Sequence, residues 1–321
     1  MLKKTLFFIW IVFAVSCDSK SELEEAIEAI PVSFTISRLD QDFASARPSE
    51  LPKLKQKYPA FFPEQYPDSI WLQRMQDTLP KQLAAAVKKV FPSASGIEDQ
   101  LYPLFQHIKY YRPEIEIPNV VTVISDVDYR NKVIATDSLL VIGLDNYLGA
   151  EHPFYEGVKQ YISKNLAPSQ LTPDVASAYA QQWIAKPRQR NFLAQMLYYG
   201  KELYLKDLWL PKATNAEKIG YTEAEMQWAQ ENEEEIWRYF IEEELLYSTD
   251  AKLPTRFIVD APFSKFYLEI DNESPGRIGQ FIGWQIVRAY MENNDTSLSE
   301  LMTLNPEALF RQSKYKPKKQ S

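Results

Sequence analysis

Across its 321 residues the chain has one cysteine, two histidines and nine glycines. A lone thiol cannot form an intrachain disulfide, so stability must come from an apolar core. Hydrophobic residues at 45% and aromatic residues at 13% supply the material for one. Average glycine usage of about 7% would give more than twenty. So few leave no clustered glycines for a phosphate loop or a dinucleotide fingerprint, and they weigh against a barrel or sandwich rich in tight turns. His107 and His152 stand in no HExxH, CxxC or His-x-His pattern, and no GxSxG is present. The usual zinc frameworks and a serine triad on a nucleophile elbow are therefore missing. Positive charge is also in deficit, with 36 Lys and Arg against 43 Asp and Glu and a net charge of −7. That balance argues against a nucleic-acid partner.

Long apolar runs are absent except at the start. Lys3 and Lys4 precede an apolar stretch from Leu6 to Val15, and Ala14-Val15-Ser16-Cys17 follows the pattern of a lipoprotein cut site. A run of about 10 residues is an h-region and is too short for a bilayer, which needs about 20. The sole cysteine sits where a lipoprotein signal peptidase would leave it as an acylated N-terminus, carrying chains such as palmitate. The competing interpretation is an ordinary cleaved secretory signal with an incidental cysteine. Lipidation at Cys17 is the expectation. It places the chain in the bacterial cell envelope, anchored to the membrane by lipid and facing the periplasm.

Residues 1–16 are thus a signal peptide and 17–30 a polar, acidic tether. One folded unit is expected over 31–312, with a basic tail at 313–321. Alternation over Pro31 to Asp40 predicts a half-buried strand. Val120 to Ser125 is a second strand. Ser138 to Leu144 is a third, apolar on both faces and so central in its sheet. Helical periodicity covers Ile70 to Val90, Ile97 to Tyr110, Pro173 to Ile184, Arg190 to Lys206 and Thr222 to Tyr247. Thr222 and Glu225 form a capping box on the last of these. Pro275 to Glu292 follows, with proline at the first helical position, and then short helices at Leu298 to Leu304 and Pro306 to Arg311. Three strands among many helices without βαβ alternation give an α+β, helix-dominated single domain with a small mixed sheet.

Glu231, Glu233, Glu234, Glu235 and Glu242 to Glu244 are expected on a solvated face opposite a core stripe. The basic residues Lys314, Lys316, Lys318 and Lys319 are expected in a disordered end. Gly200 interrupts a strong helix-forming series at a cost of about 1 kcal/mol relative to alanine. Close packing explains its presence; a binding surface on that face is the alternative. Gly276, Gly279 and Gly283 put small residues on nearly one face of the final long helix. Arg277 falls in its first turn, where the dipole disfavours a cation. It is expected to pair with an acid or to line a pocket near Lys201.

The ordered segments GLDNYLG (Gly143 to Gly149), MLYYGKELYL (Met196 to Leu205), APFSKF (Ala261 to Phe266) and SPGRIGQFIGWQIVRAYM (Ser274 to Met291) resemble the GldB family of gliding motility lipoproteins. The terminal SKYKP (Ser313 to Pro317) extends the resemblance over nearly the whole mature chain. It implies an envelope lipoprotein needed for movement over surfaces, with no established enzymatic activity and with protein partners in the gliding machinery. More distantly, the order of elements is similar to predicted zinc-peptidase domains of the gluzincin kind. That similarity implies a zincin-like fold in which Gly200, Lys201 and Tyr204 stand where HExxH would place His, Glu and His. Those residues offer no zinc ligand and no general base, so it implies a fold without its metal site and without a cofactor. Gly200, Lys201, Tyr204 and Arg277 are then a candidate binding surface. The rival functions are a lipoprotein that binds a peptide or glycan and a hydrolase with an unrecognised carboxylate site.

Cys17→Ser should abolish acylation and leave uncut or released protein. Metabolic labelling with an alkynyl fatty acid tests this, and equal labelling of the variant would exclude the lipobox.

Overall fold

Four short strands hydrogen-bond in the order β1-β2-β4-β3, and sixteen α-helices surround them among the described residues. The computed structural model describes residues 21–318. The signal segment, Cys17 and Lys319 lie outside the described residues. The strands are β1 Ile36–Arg38, β2 Asn119–Val123, β3 Val133–Ala135 and β4 Leu139–Gly143. β1 and β2 are parallel, as are β2 and β4, while β3 runs antiparallel to β4. The doubly apolar run at 139–142 lies on an internal strand, as expected. Alternation sorts its side chains into two cores. Val120, Leu140 and Ile142 enter the main core. Val121, Val123 and Leu139 pack on a smaller one with Leu51, Tyr58 and Phe62.

The strand expected over Pro31 to Asp40 is shorter, because the chain turns into a helix, Leu39–Ser45, directly after β1. Asp40 enforces the turn. Its carboxylate is buried and accepts from Arg38 Nε at 2.9 Å and from Thr122 Oγ1 on β2. β3 was not visible in the alternation. The expected helix Ile70 to Val90 is two helices, Asp68–Gln76 and Thr78–Val90. Pro80 explains the break, since its missing N–H and its ring exclude a helix running through from Gln76. The helix expected over Thr222 to Tyr247 divides into Glu223–Glu231 and Glu233–Glu242 at Asn232, whose amide bonds Trp228 O at 2.8 Å. Its capping box is present, with Glu225 N donating to Thr222 Oγ1 at 3.2 Å. Part of the tether expected over 17–30 is a helix, Glu22–Glu28, with Ile27 buried. Within the described residues the basic end packs on the folded unit. Tyr315 packs edge-on against Trp237 and donates to Glu233 Oε1 at 2.8 Å. Glu233, expected on the solvated face, is therefore buried.

The last long helix is Ile278–Asn293, so Pro275 is not its first residue. Arg277 is its N-cap in the left-handed region at φ 61°, not a first-turn residue. The preceding turn is pinned instead. Ser264 Oγ donates to Pro275 O at 2.7 Å and accepts from Ile278 N at 3.3 Å. This helix crosses the central helix, Phe192–Trp209, at two glycines. A Cβ on Gly200 would lie under 3.0 Å from the Gly283 carbonyl and Trp284 N, and one on Gly283 would meet Met196 O. Only paired glycines let the two backbones come this close.

Gly200→Ala would gain up to about 1 kcal/mol in helix propensity but lose about 1–3 kcal/mol to overpacking. The obstacle is backbone rather than a pliable side chain, so the net sign is destabilising. Thermal unfolding should show a midpoint lowered by several degrees, and lowered further in Gly200→Leu; a midpoint at or above wild type would contradict the close crossing.

Candidate binding cleft

The face of the central helix left uncovered by the final helix floors a cleft of about 790 Å³. Tyr199, Glu202, Leu203 and Lys206 line it at i, i+3, i+4 and i+7 spacing, which is one helical face. Glu202 and Lys206 are both buried. Glu202 accepts from Ser177 Oγ at 2.6 Å and Gln181 Nε2 at 3.1 Å, with Lys206 Nζ at 3.7 Å. Lys206 also donates to Lys218 O at 2.9 Å. Burial pushes the Lys206 ammonium below the usual lysine range, and Glu202 and Asp174 oppose that shift. Lys218 in turn pairs with Asp207 at 3.1 Å, which also holds Arg288. On the opposite wall Asp174 takes Lys132 and the hydroxyl of Tyr147.

The loop after β2 forms one side of the mouth. Asp126 and Val127 both have φ 58°, a conformation that costs a β-branched residue about 1–3 kcal/mol. Asp145 holds them there. Its buried carboxylate accepts from Ser125 N at 2.9 Å, Ser125 Oγ at 3.0 Å and Val127 N at 2.7 Å. Burial raises the Asp145 carboxyl above its ordinary value despite these bonds. The strained loop delivers Tyr129, Arg130 and Lys132 to the cleft. Arg277 closes the far end, donating to Gly220 O at 2.8 Å and lying 3.3 Å from Asp260.

The four residues of the candidate surface do not converge. Gly200 is sealed by the final helix, and Tyr204 is half-buried against the main core. Lys201 is 4% exposed and opens on a separate cavity of about 360 Å³ between 184–189 and 303–306. Its ammonium donates to Met302 O at 3.3 Å and Leu304 O at 3.0 Å. Only Arg277 lines the large cleft, and it does so while pairing with Asp260, away from Lys201. Sequence reasoning passed over Glu202 and Lys206. Their signal was an i,i+4 Glu–Lys pair inside a helix rich in apolar residues. His152 stacks on Phe154 and accepts from its N–H at 3.3 Å, while burial lowers the pKa of half-buried His107. Among the described residues no three His, Cys, Asp or Glu side chains are grouped to hold a metal ion.

The sequence model of the family described as gliding motility protein GldB matches residues 20–317. The chain belongs to that family. Membership gives it a role in gliding motility and associates it with the gliding machinery. No curated protein matches the chain, and no solved structure matches it. Of the segments that carry the GldB resemblance, MLYYGKELYL supplies Tyr199, Glu202 and Leu203 of the floor and SPGRIGQFIGWQIVRAYM supplies Arg277 and Gln280, while Asp145, Tyr147 and Ser264 hold neighbouring residues without lining the cleft themselves. The described residues contain no helix long and apolar enough to cross a membrane.

Burial lowers the Lys201 pKa to about 8, against about 10.4 in an unfolded chain. Below the lower value both states are protonated and the full burial penalty applies. Between the two values the folded state has released the proton that the unfolded state keeps, so stability rises with pH. Relative to Lys201→Met, wild type should gain on the order of 2–3 kcal/mol between about pH 7 and about pH 10. Urea unfolding of both proteins at the two pH values reads the difference, and a pH-independent gap would contradict a buried, unpaired ammonium.

Proposed function

We propose that this GldB-family chain is a non-enzymatic lipoprotein, anchored at Cys17 on the periplasmic side, that serves the gliding machinery by binding other molecules. In this reading residues 17–30 lead from the lipid to the folded unit over 31–312, and protein contacts transmit its effect. One observation carries the non-enzymatic part: every carboxylate lining the cleft is already engaged. Glu202 is held by Ser177, Gln181 and Lys206, Asp174 by Lys132 and Tyr147, and Asp260 by Arg277. Glycosidase-type hydrolysis needs two carboxyls that are free to act as acid and as base or nucleophile. Side chains locked in mutual neutralisation suit a preorganised binding surface instead.

Asp174→Asn and Asp260→Asn separate the two readings. Asp260 is exposed, where an ion pair contributes only about 0–1 kcal/mol; Asp174 is half-buried, and asparagine keeps an acceptor for the Tyr147 hydroxyl, so its melting midpoint is read beside its activity. The purified wild-type protein should release no product from peptides or oligosaccharides, and neither variant should change that; hydrolysis by the wild type that either variant abolishes at an unchanged melting midpoint would favour the hydrolase.

A further inference from the structure

The cleft has a charge opposite to that of the protein. Six cationic side chains and three carboxylates line it, while the chain as a whole carries −7. Four of the cations are engaged by acids, as described above. The two that remain, Arg130 and Lys159, are exposed at the mouth and form no ion pair among the described residues. Each lies by a tyrosine, Arg130 at 5.2 Å from the Tyr129 ring and Lys159 at 5.9 Å from that of Tyr161. Asp128 feels the Arg130 charge, but its carboxylate is taken by Asn131 Nδ2 at 2.8 Å and Arg130 N at 3.2 Å.

Deeper in, three amides are turned the same way. Asn165 Nδ2 donates to Gly220 O at 3.0 Å, Gln170 Nε2 to Glu217 O at 3.2 Å and Gln280 Nε2 to Ile258 O at 2.6 Å. Each NH2 group is committed, and each amide oxygen accepts nothing among the described residues. The ligand implied by such a site brings several hydroxyl donors for the amide oxygens, apolar faces for the tyrosines and an anionic group for the two free cations. An acidic peptide also offers carboxylates to the two cations, but it lacks the run of hydroxyl donors that would satisfy the three amide oxygens.

We infer that the cleft binds an acidic oligosaccharide, with uronate or similarly charged sugars at the Arg130–Lys159 mouth and sugar hydroxyls on Asn165, Gln170 and Gln280. This rests on the binding role proposed above and names its ligand class.

The full-length lipoprotein in detergent, applied to an array of neutral and acidic oligosaccharides, should retain acidic sugars in preference to neutral ones. In titration calorimetry a galacturonic acid trimer should bind, and more weakly as salt rises. Cellotriose, which lacks the charge, should bind at least about tenfold more weakly, since each charge-assisted contact is worth roughly a factor of ten; a pentaglutamate peptide, which keeps the charge but lacks the hydroxyls, should also bind more weakly than the trimer. Arg130→Ala with Lys159→Ala, both surface changes, should weaken the trimer by about tenfold or more at an unchanged melting midpoint. Retention of no acidic sugar above the neutral ones, tighter binding of the peptide, or an unaffected double variant would each overturn the ligand class. Binding of the trimer followed by its cleavage would instead uphold the ligand class and remove the non-enzymatic reading.

Discussion

Everything near the cleft depends on the crossing of two glycines. The central helix presents a polar face because its opposite face is occupied, and Gly200 against Gly283 lets the final helix lie there backbone to backbone. Dispersion contacts at that distance are numerous and insensitive to rotamer choice, so the final helix acts as a rigid back plate. From that plate the central helix projects Tyr199, Glu202, Leu203 and Lys206 at fixed heights. The Ser264–Pro275–Ile278 hydrogen bonds then fix where the plate begins, and with it the position of Arg277.

The floor so positioned is polar and buried, a costly combination unless every group finds a partner. Glu202 and Lys206 would each carry a large desolvation penalty alone. Ser177, Gln181 and the Lys218 carbonyl complete their hydrogen bonding, and Lys218 passes the charge on to Asp207 and Arg288. Such a network adds little stability over an apolar core but leaves few alternative arrangements. Rigidity is what a binding floor needs, because ordering it at the moment of capture would subtract from affinity.

The mouth is built on the opposite principle. There the backbone is strained at Asp126 and Val127, and the compensation is concentrated in Asp145. A buried carboxylate with three donors over-determines the loop and keeps Tyr129, Arg130 and Lys132 at the opening. Lys201 shows the contrasting case of a buried cation with only carbonyls for company. Its lowered pKa follows from burial alone, and it belongs to a second cavity that shares the central helix but not the cleft.

Periodicity and composition determined the α+β class, the internal position of the doubly apolar strand and the Thr222 capping box, because these follow from local spacing. They also pointed to close packing at Gly200, since a glycine inside a strong helix needs a reason. The breaks before Pro80 and at Asn232 have local causes, a proline and an i,i−4 side-chain bond, whereas the docking of Tyr315 on Glu233 and the short strand β3 were decided by tertiary contacts that no local window contains. The candidate site depends on tertiary contacts as well. Lys201 is adjacent to Gly200 in sequence, yet 100° per residue turns it toward another cavity. Glu202 and Lys206, which look like a surface ion pair in the sequence, become the cleft floor because the final helix occupies the opposite face. Which side of a helix meets solvent depends on what packs behind it, and that is a property of the assembled chain.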